Sequence, residues 1–160
     1  MEIVTVMQRQ LSLCLLMLQR VIEASPDDIW PKVRGGYVYW QQIYHALHGA
    51  VYWLRTEHTL YTEPFSDLNL YPELDGIPEH TLSKEDLIQL LQDATRLAVD
   101  FFEDMNTQKL SESSEVFSEI TNLDVICMQI RHLQYHIGHC NAILRESGYQ
   151  AAEWVDYSGD

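Results

Sequence analysis

The stretch "RHLQYHIGHCNAILRE", residues 131–146, decides how the chain is read. Leu133, Ile137 and Leu144 continue a helical apolar row that begins at Ile126 and Ile130, so the segment belongs to a helix from about Leu123 to Glu146. Thr121 or Asn122 can cap its start, and Gly148 can end it. The same helix carries His132, His136 and His139. Residues four apart share a helix face, about 6 Å apart along the axis. His132 and His136 therefore form a two-pronged clamp for a metal ion. His136 with His139, a three-residue step, is the competing pair. One ion does not readily take both His132 and His139, which lie two turns apart.

Two imidazoles hold a metal weakly, and catalytic zinc typically takes three protein ligands with one open position. The chain has seven histidines, and the other cluster is "YHALHG", residues 44–49. His45 or His48 can supply a third ligand if that segment packs on the last helix. A core histidine is more often simply hydrogen-bonded, and HxxxH arises by chance. Five histidines in two helical clusters are harder to dismiss.

Three further helices are predicted. Ile3, Met7, Leu11, Cys14, Leu18 and Ile22 recur at three- and four-residue steps, marking a helix from about Ile3 to Ala24. Ser25-Pro26 ends it. A second helix, rich in tyrosine and tryptophan, runs from about Tyr37 to Glu57, after Gly35-Gly36 as a breaker. The third begins at "SKED", with Ser83 as N-cap and Asp86 in the glutamate position of a capping box. Leu87, Leu90, Leu91, Ala94, Leu97, Ala98, Phe101 and Phe102 continue it. No segment reads as a dependable strand, and no repeat or linker divides residues 1–160, so one all-α domain is expected. Residues 58–82, with Pro64, Pro72, Gly76 and Pro78, are long enough to run the length of a helix of about 30 Å. Helices two and three can then be parallel, giving a four-helix bundle, up-down-down-up with a long crossover. Such a segment either carries function or merely crosses the bundle.

The composition narrows the function. A formal net charge of −14 repels phosphate backbones and anionic lipid, so neither nucleic acid nor membrane is expected as a partner. No run of eighteen apolar residues appears. "LSLCLLML", residues 11–18, lacks a cleavage site and reads as core helix, which leaves the cytoplasm as the expected location. The three cysteines form no CxxC and no even framework. Cys14 and Cys127 are expected to be reduced and buried, and Cys140 has no assigned role. Leu133 occupies the glutamate position of HExxH, so the metalloprotease base is missing. No Glu-x-x-His pair for a di-iron centre, glycine-rich phosphate loop or CxxCH is found.

The chain resembles the DinB-like (DinB/YfiT-like) superfamily of bacterial four-helix bundles. "RHLQYHIGHC" is similar to that family's final-helix motif, in which two histidines four apart are followed by a residue, glycine and usually glutamine. His139 stands in the glutamine position. "WQQIYHALHGAVYWL", residues 40–54, resembles the second-helix motif, whose ligand histidine follows an aromatic residue; here that is His45 after Tyr44. The closing "EWV", residues 153–155, resembles a tail of one branch. The resemblance implies a divalent metal ion, often zinc or nickel, held by His45, His132 and His136. It also implies a metal-dependent enzyme acting on a small-molecule substrate, by transfer of a low-molecular-weight thiol or by hydrolysis. The competing class is a non-catalytic metal-binding or helical interaction protein. The apolar helix faces allow a homodimer, common in that family. Gly138 is expected to permit close packing or leave room near the site, and His48 to be packing or surface.

Overall fold

Two capping boxes set where helices begin. The Ser83 hydroxyl accepts the Asp86 amide while the Asp86 carboxylate accepts the Ser83 amide, opening a helix at Lys84. Thr121 and Asp124 repeat the arrangement before the last helix. Each box satisfies amides that the helix itself leaves bare.

The computed structural model describes residues 2–56 and 58–158. Its elements are α1 (Ile3–Ala24), β1 (Val33–Arg34), β2 (Tyr37–Val38), α2 (Tyr39–Trp53), α3 (Lys84–Glu103), α4 (Thr107–Ser111) and α5 (Asn122–Glu146). α1 and α2 each pack against both α3 and α5. Leu18, Ile22, Ile43, Leu47, Leu87, Ala94, Ile126 and Leu133 are sealed in the shared core. No helix among the described residues is long and apolar enough to cross a membrane.

The mostly helical expectation holds, with local corrections. Gly35 and Gly36 do more than break the chain. Both take positive φ (62° and 95°), the turn a two-residue hairpin requires, so β1 and β2 pair antiparallel with Val33 opposite Val38. Tyr37 and Val38 are thereby taken from the expected start of the second helix. That helix ends at Trp53, with Leu54 as its C-cap; its expected end, Glu57, lies outside the described residues. A short helix, α4, was not foreseen. Cys14 and Cys140 are buried and free, but Cys127 is exposed, against expectation. It sits with Asp124, Arg131 and Tyr135 on the solvent row of α5, one helical step past the core residue Ile126.

The segment between α2 and α3 is clamped onto α2. Buried Gln41 directs its Nε2 at the carbonyls of Leu70, Tyr71 and Gly76 (3.2, 3.1 and 2.9 Å). The Tyr44 hydroxyl donates to Pro64 O at 2.9 Å, and Trp30 Nε1 to Leu82 O at 2.8 Å. Leu70, 1% exposed, plugs the segment into the core. Gln41→Ala removes the donor from three carbonyls and is expected to destabilise the protein by about 2–4 kcal/mol in urea unfolding. It should also open residues 66–80 to limited proteolysis.

Candidate metal centre

One helix turn on α5 and one position on α2 bring three imidazoles together. The ring centroids of His45, His132 and His136 are separated by 4.8, 4.7 and 4.9 Å, close to an equilateral triangle. One nitrogen from each lies within 4.8 Å of the others. His45 Nε2 and His132 Nε2 are 2.9 Å apart. Tetrahedral zinc with bonds of about 2.0–2.1 Å separates two ligand nitrogens by about 3.3 Å. The triangle brackets that spacing, so small side-chain adjustments fit it to an ion.

The tautomer of His45 follows from its partner. Its Nδ1 lies 2.5 Å from Pro72 O. A carbonyl only accepts, so Nδ1 carries the proton and Nε2 is left with a bare lone pair in the neutral ring. A carbonyl or carboxylate holding the far nitrogen of a ligand histidine is the usual support of a metal site. His136 Nδ1 is buried with no hydrogen-bond partner, so the ring keeps a nitrogen free for an ion.

Burial also sets the charge of the rings. It pushes the His132 pKa down to about 4, helped by neighbouring His45. His136 is pushed down to about 3 by burial, then by His45, His132 and His139. Neutral imidazole is the form that binds metal.

Gly49 was not singled out in the sequence, yet it makes room for one of the rings. A Cβ there would stand 2.7 Å from His132 Cε1. Its signal was a glycine inside a helix, which costs about 1 kcal/mol relative to alanine and so asks for a reason. Gly138 gives the opposite result. It is exposed, and a Cβ there meets nothing within 4 Å, so the expected close packing is absent. His139 does not join the triangle. Its imidazole lies against Gly35 of the hairpin turn, where a Cβ would overlap it. The structure thus gathers His45, His132 and His136, and not the His136–His139 alternative with a separate partner. His48 is neither surface nor plain core: it lines a cavity beside the triangle.

That cavity, about 920 Å³, is walled by His45, His132, Tyr52, Trp53, Tyr61 and Tyr135 among others, and Glu63 and Glu73 of the segment between α2 and α3 border it. The long connection therefore supplies one wall of the site. No family model matches this chain, and no curated protein matches it either.

Replacing His45, His132 or His136 with alanine is expected to lower metal content strongly, while His139→Gln retains it. Gly49→Ala, which pushes His132 aside, should weaken metal binding by about 10- to 100-fold without removing any ligand. Elemental analysis and competition with a chromophoric chelator check both. Retained metal in His132→Ala with loss in His139→Gln would transfer the site to the other pair.

A pH dependence follows with its sign. His132 and His136 titrate near 6.5 when unfolded and at about 4 and about 3 when folded. Between those values the unfolded chain binds protons that the folded chain refuses, so stability rises with pH across the window. The metal-free protein should keep this contribution above about pH 6.5 and lose it progressively toward pH 4. Urea midpoints across that range measure the fall, which His136→Gln should make shallower.

Proposed function

We propose that the protein is a divalent-metal-dependent enzyme of the DinB-like kind, built as a four-helix bundle with up-down-down-up order and the long segment before α3 as its crossover. The ion, zinc or nickel, is held by His45, His132 and His136. The substrate is a small molecule, and the reaction is transfer of a low-molecular-weight thiol or hydrolysis. The observation that carries this reading is that two of the three imidazoles, His45 and His132, form part of the wall of a cavity of about 920 Å³. An ion enclosed on all sides is structural; one held at a cavity wall keeps a position open to substrate.

When bound, the divalent ion supplies Lewis-acid chemistry, lowering the pKa of a water or thiol toward neutrality. The chain's own residues do the rest. Pro72 O fixes the His45 ring so that its bare nitrogen faces the other two rings. The Tyr52, Trp53 and Tyr61 rings give the cavity apolar walls that accept the body of a small organic molecule and thin out water. A net charge of −14 disfavours nucleic acid as a partner. Three free cysteines fit the cytoplasm, and a homodimer remains part of the proposal.

Metal analysis of the purified protein, followed by thiol-transfer assays with an aryl halide and hydrolysis assays with an activated ester, tests this. About one ion per chain and turnover abolished by His136→Gln are expected. A tightly held ion with no exchangeable position would favour the non-catalytic reading, and no ion at all would end the proposal.

A further inference from the structure

Resting on the metal-enzyme reading above, we infer that His48, oriented by Glu63, is the proton acceptor for the nucleophile activated at the three-histidine site. The two side chains come from different elements and meet inside the cavity that His45 and His132 also line. His48 is one turn along α2 from His45, and its side chain is 12% exposed. Its Nε2 is buried with no hydrogen-bond partner, and Glu63 Oε1 is 3.5 Å away. That is about half an ångström longer than a formed hydrogen bond, and catalytic hydrogen bonds are often long before substrate binds. The face of Tyr44, with ring centroids 5.8 Å apart, steadies the imidazole, and Tyr44 is itself tied to Pro64 beside Glu63.

The tautomer follows from the same argument that applies to His45. A carboxylate only accepts, so closing the 3.5 Å gap to a hydrogen bond puts the proton on Nε2 toward Glu63 and leaves the lone pair on Nδ1. A half-buried imidazole with a carboxylate near one nitrogen has the layout of a general base whose third group orients it. Proton accounting is simple. The O–H or S–H bond of the nucleophile breaks as its oxygen or sulfur bonds to the electrophilic atom, and that atom's bond to the leaving group breaks with the electron pair going to the leaving group. The proton goes to His48 Nδ1, Glu63 stabilises the imidazolium, and the proton is returned to the leaving group. Nothing is oxidised or reduced.

The groups facing His48 are Glu63 and Glu73 from the crossover and His45 and Tyr44 from its own helix, and Arg131 of α5 borders the same cavity. Burial lowers the His48 pKa, Glu63 and Glu73 draw it back up, and His45 lowers it. The ring is thus neutral and able to accept at neutral pH.

The test uses the full chain loaded with Co2+, whose thiolate charge-transfer band reports 2-mercaptoethanol binding in stopped flow. His48→Gln should slow the association at pH 7 by about 100-fold while leaving cobalt content unchanged, and added imidazole should restore the rate. Glu63→Gln, at a side chain 48% exposed and so safe for folding, should slow it less. It should also shift the His48 tautomer away from Nε2–H in nitrogen NMR spectra. Unchanged rates in His48→Gln with cobalt and thiol both bound would overturn the inference and leave the metal reading standing. A slowed rate that imidazole does not restore would reduce His48 to cavity wall and equally overturn it. If wild type binds no cobalt, both readings fail together.

Discussion

The hydrogen bond between His45 Nδ1 and the Pro72 carbonyl, 2.5 Å long, ties the site to the rest of the fold. It fixes which nitrogen of His45 is bare, and it does so from a residue 27 positions away in the chain. Its neighbours on the same face of α2 behave alike. Gln41, Tyr44, His45 and His48 recur at the three- and four-residue steps of one helical stripe. Each reaches the segment between α2 and α3, at Leu70, Tyr71 and Gly76, at Pro64, at Pro72, and at Glu63. A helix whose apolar face serves the core thus uses its polar stripe to hold a loop. The loop in turn becomes the wall of the cavity.

This clamp explains why the connection is long. A segment that only joined two helix ends would not need three hydrogen-bonding side chains to pin it, nor residues such as Tyr71 and Leu74 at positive φ (51° and 61°). Those conformations are costly for side chains other than glycine and persist only where surroundings impose them. Here the three carbonyls gathered by Gln41 lie within the same few residues. Position, not reach, is what the segment's length provides.

Much of the site was legible because helical periodicity is local. His132 and His136 share a face at any helix of ordinary pitch, and the caps Ser83 and Thr121 act within four residues. What escaped reading depends on contacts across the fold. Gly35-Gly36 as a hairpin turn requires that Val33 meet Val38. Cys127 reads as core by residue type, yet the rotation of α5 that buries Ile126 turns it outward. Gly138 sits inside the histidine motif, where a Cβ would meet nothing, whereas Gly49, outside the ligand set, leaves space for His132. Which glycine matters is decided by the neighbouring helix, and one helix's sequence does not contain its neighbour. His48 is the same case. Its partner Glu63 lies in a loop whose course no periodicity predicts.

Three imidazoles face one another here without a carboxylate among them. That arrangement is poor for stability alone. His45 Nε2 and His132 Nε2, 2.9 Å apart, can share one proton at most, and His136 Nδ1 has no partner at all. Each buried nitrogen left bare costs about 1–3 kcal/mol, and apolar side chains of similar size would avoid it. Protonation would relieve the lone-pair contacts, but burial opposes charge and holds two of the rings neutral well below their usual range. One cation can take a lone pair from each of the three rings at once. The acidic chain, with Glu63 and Glu73 lining the cavity, presents a negative potential that favours a cation there. The same two carboxylates bear on His48, where they partly offset the burial that lowers its proton affinity.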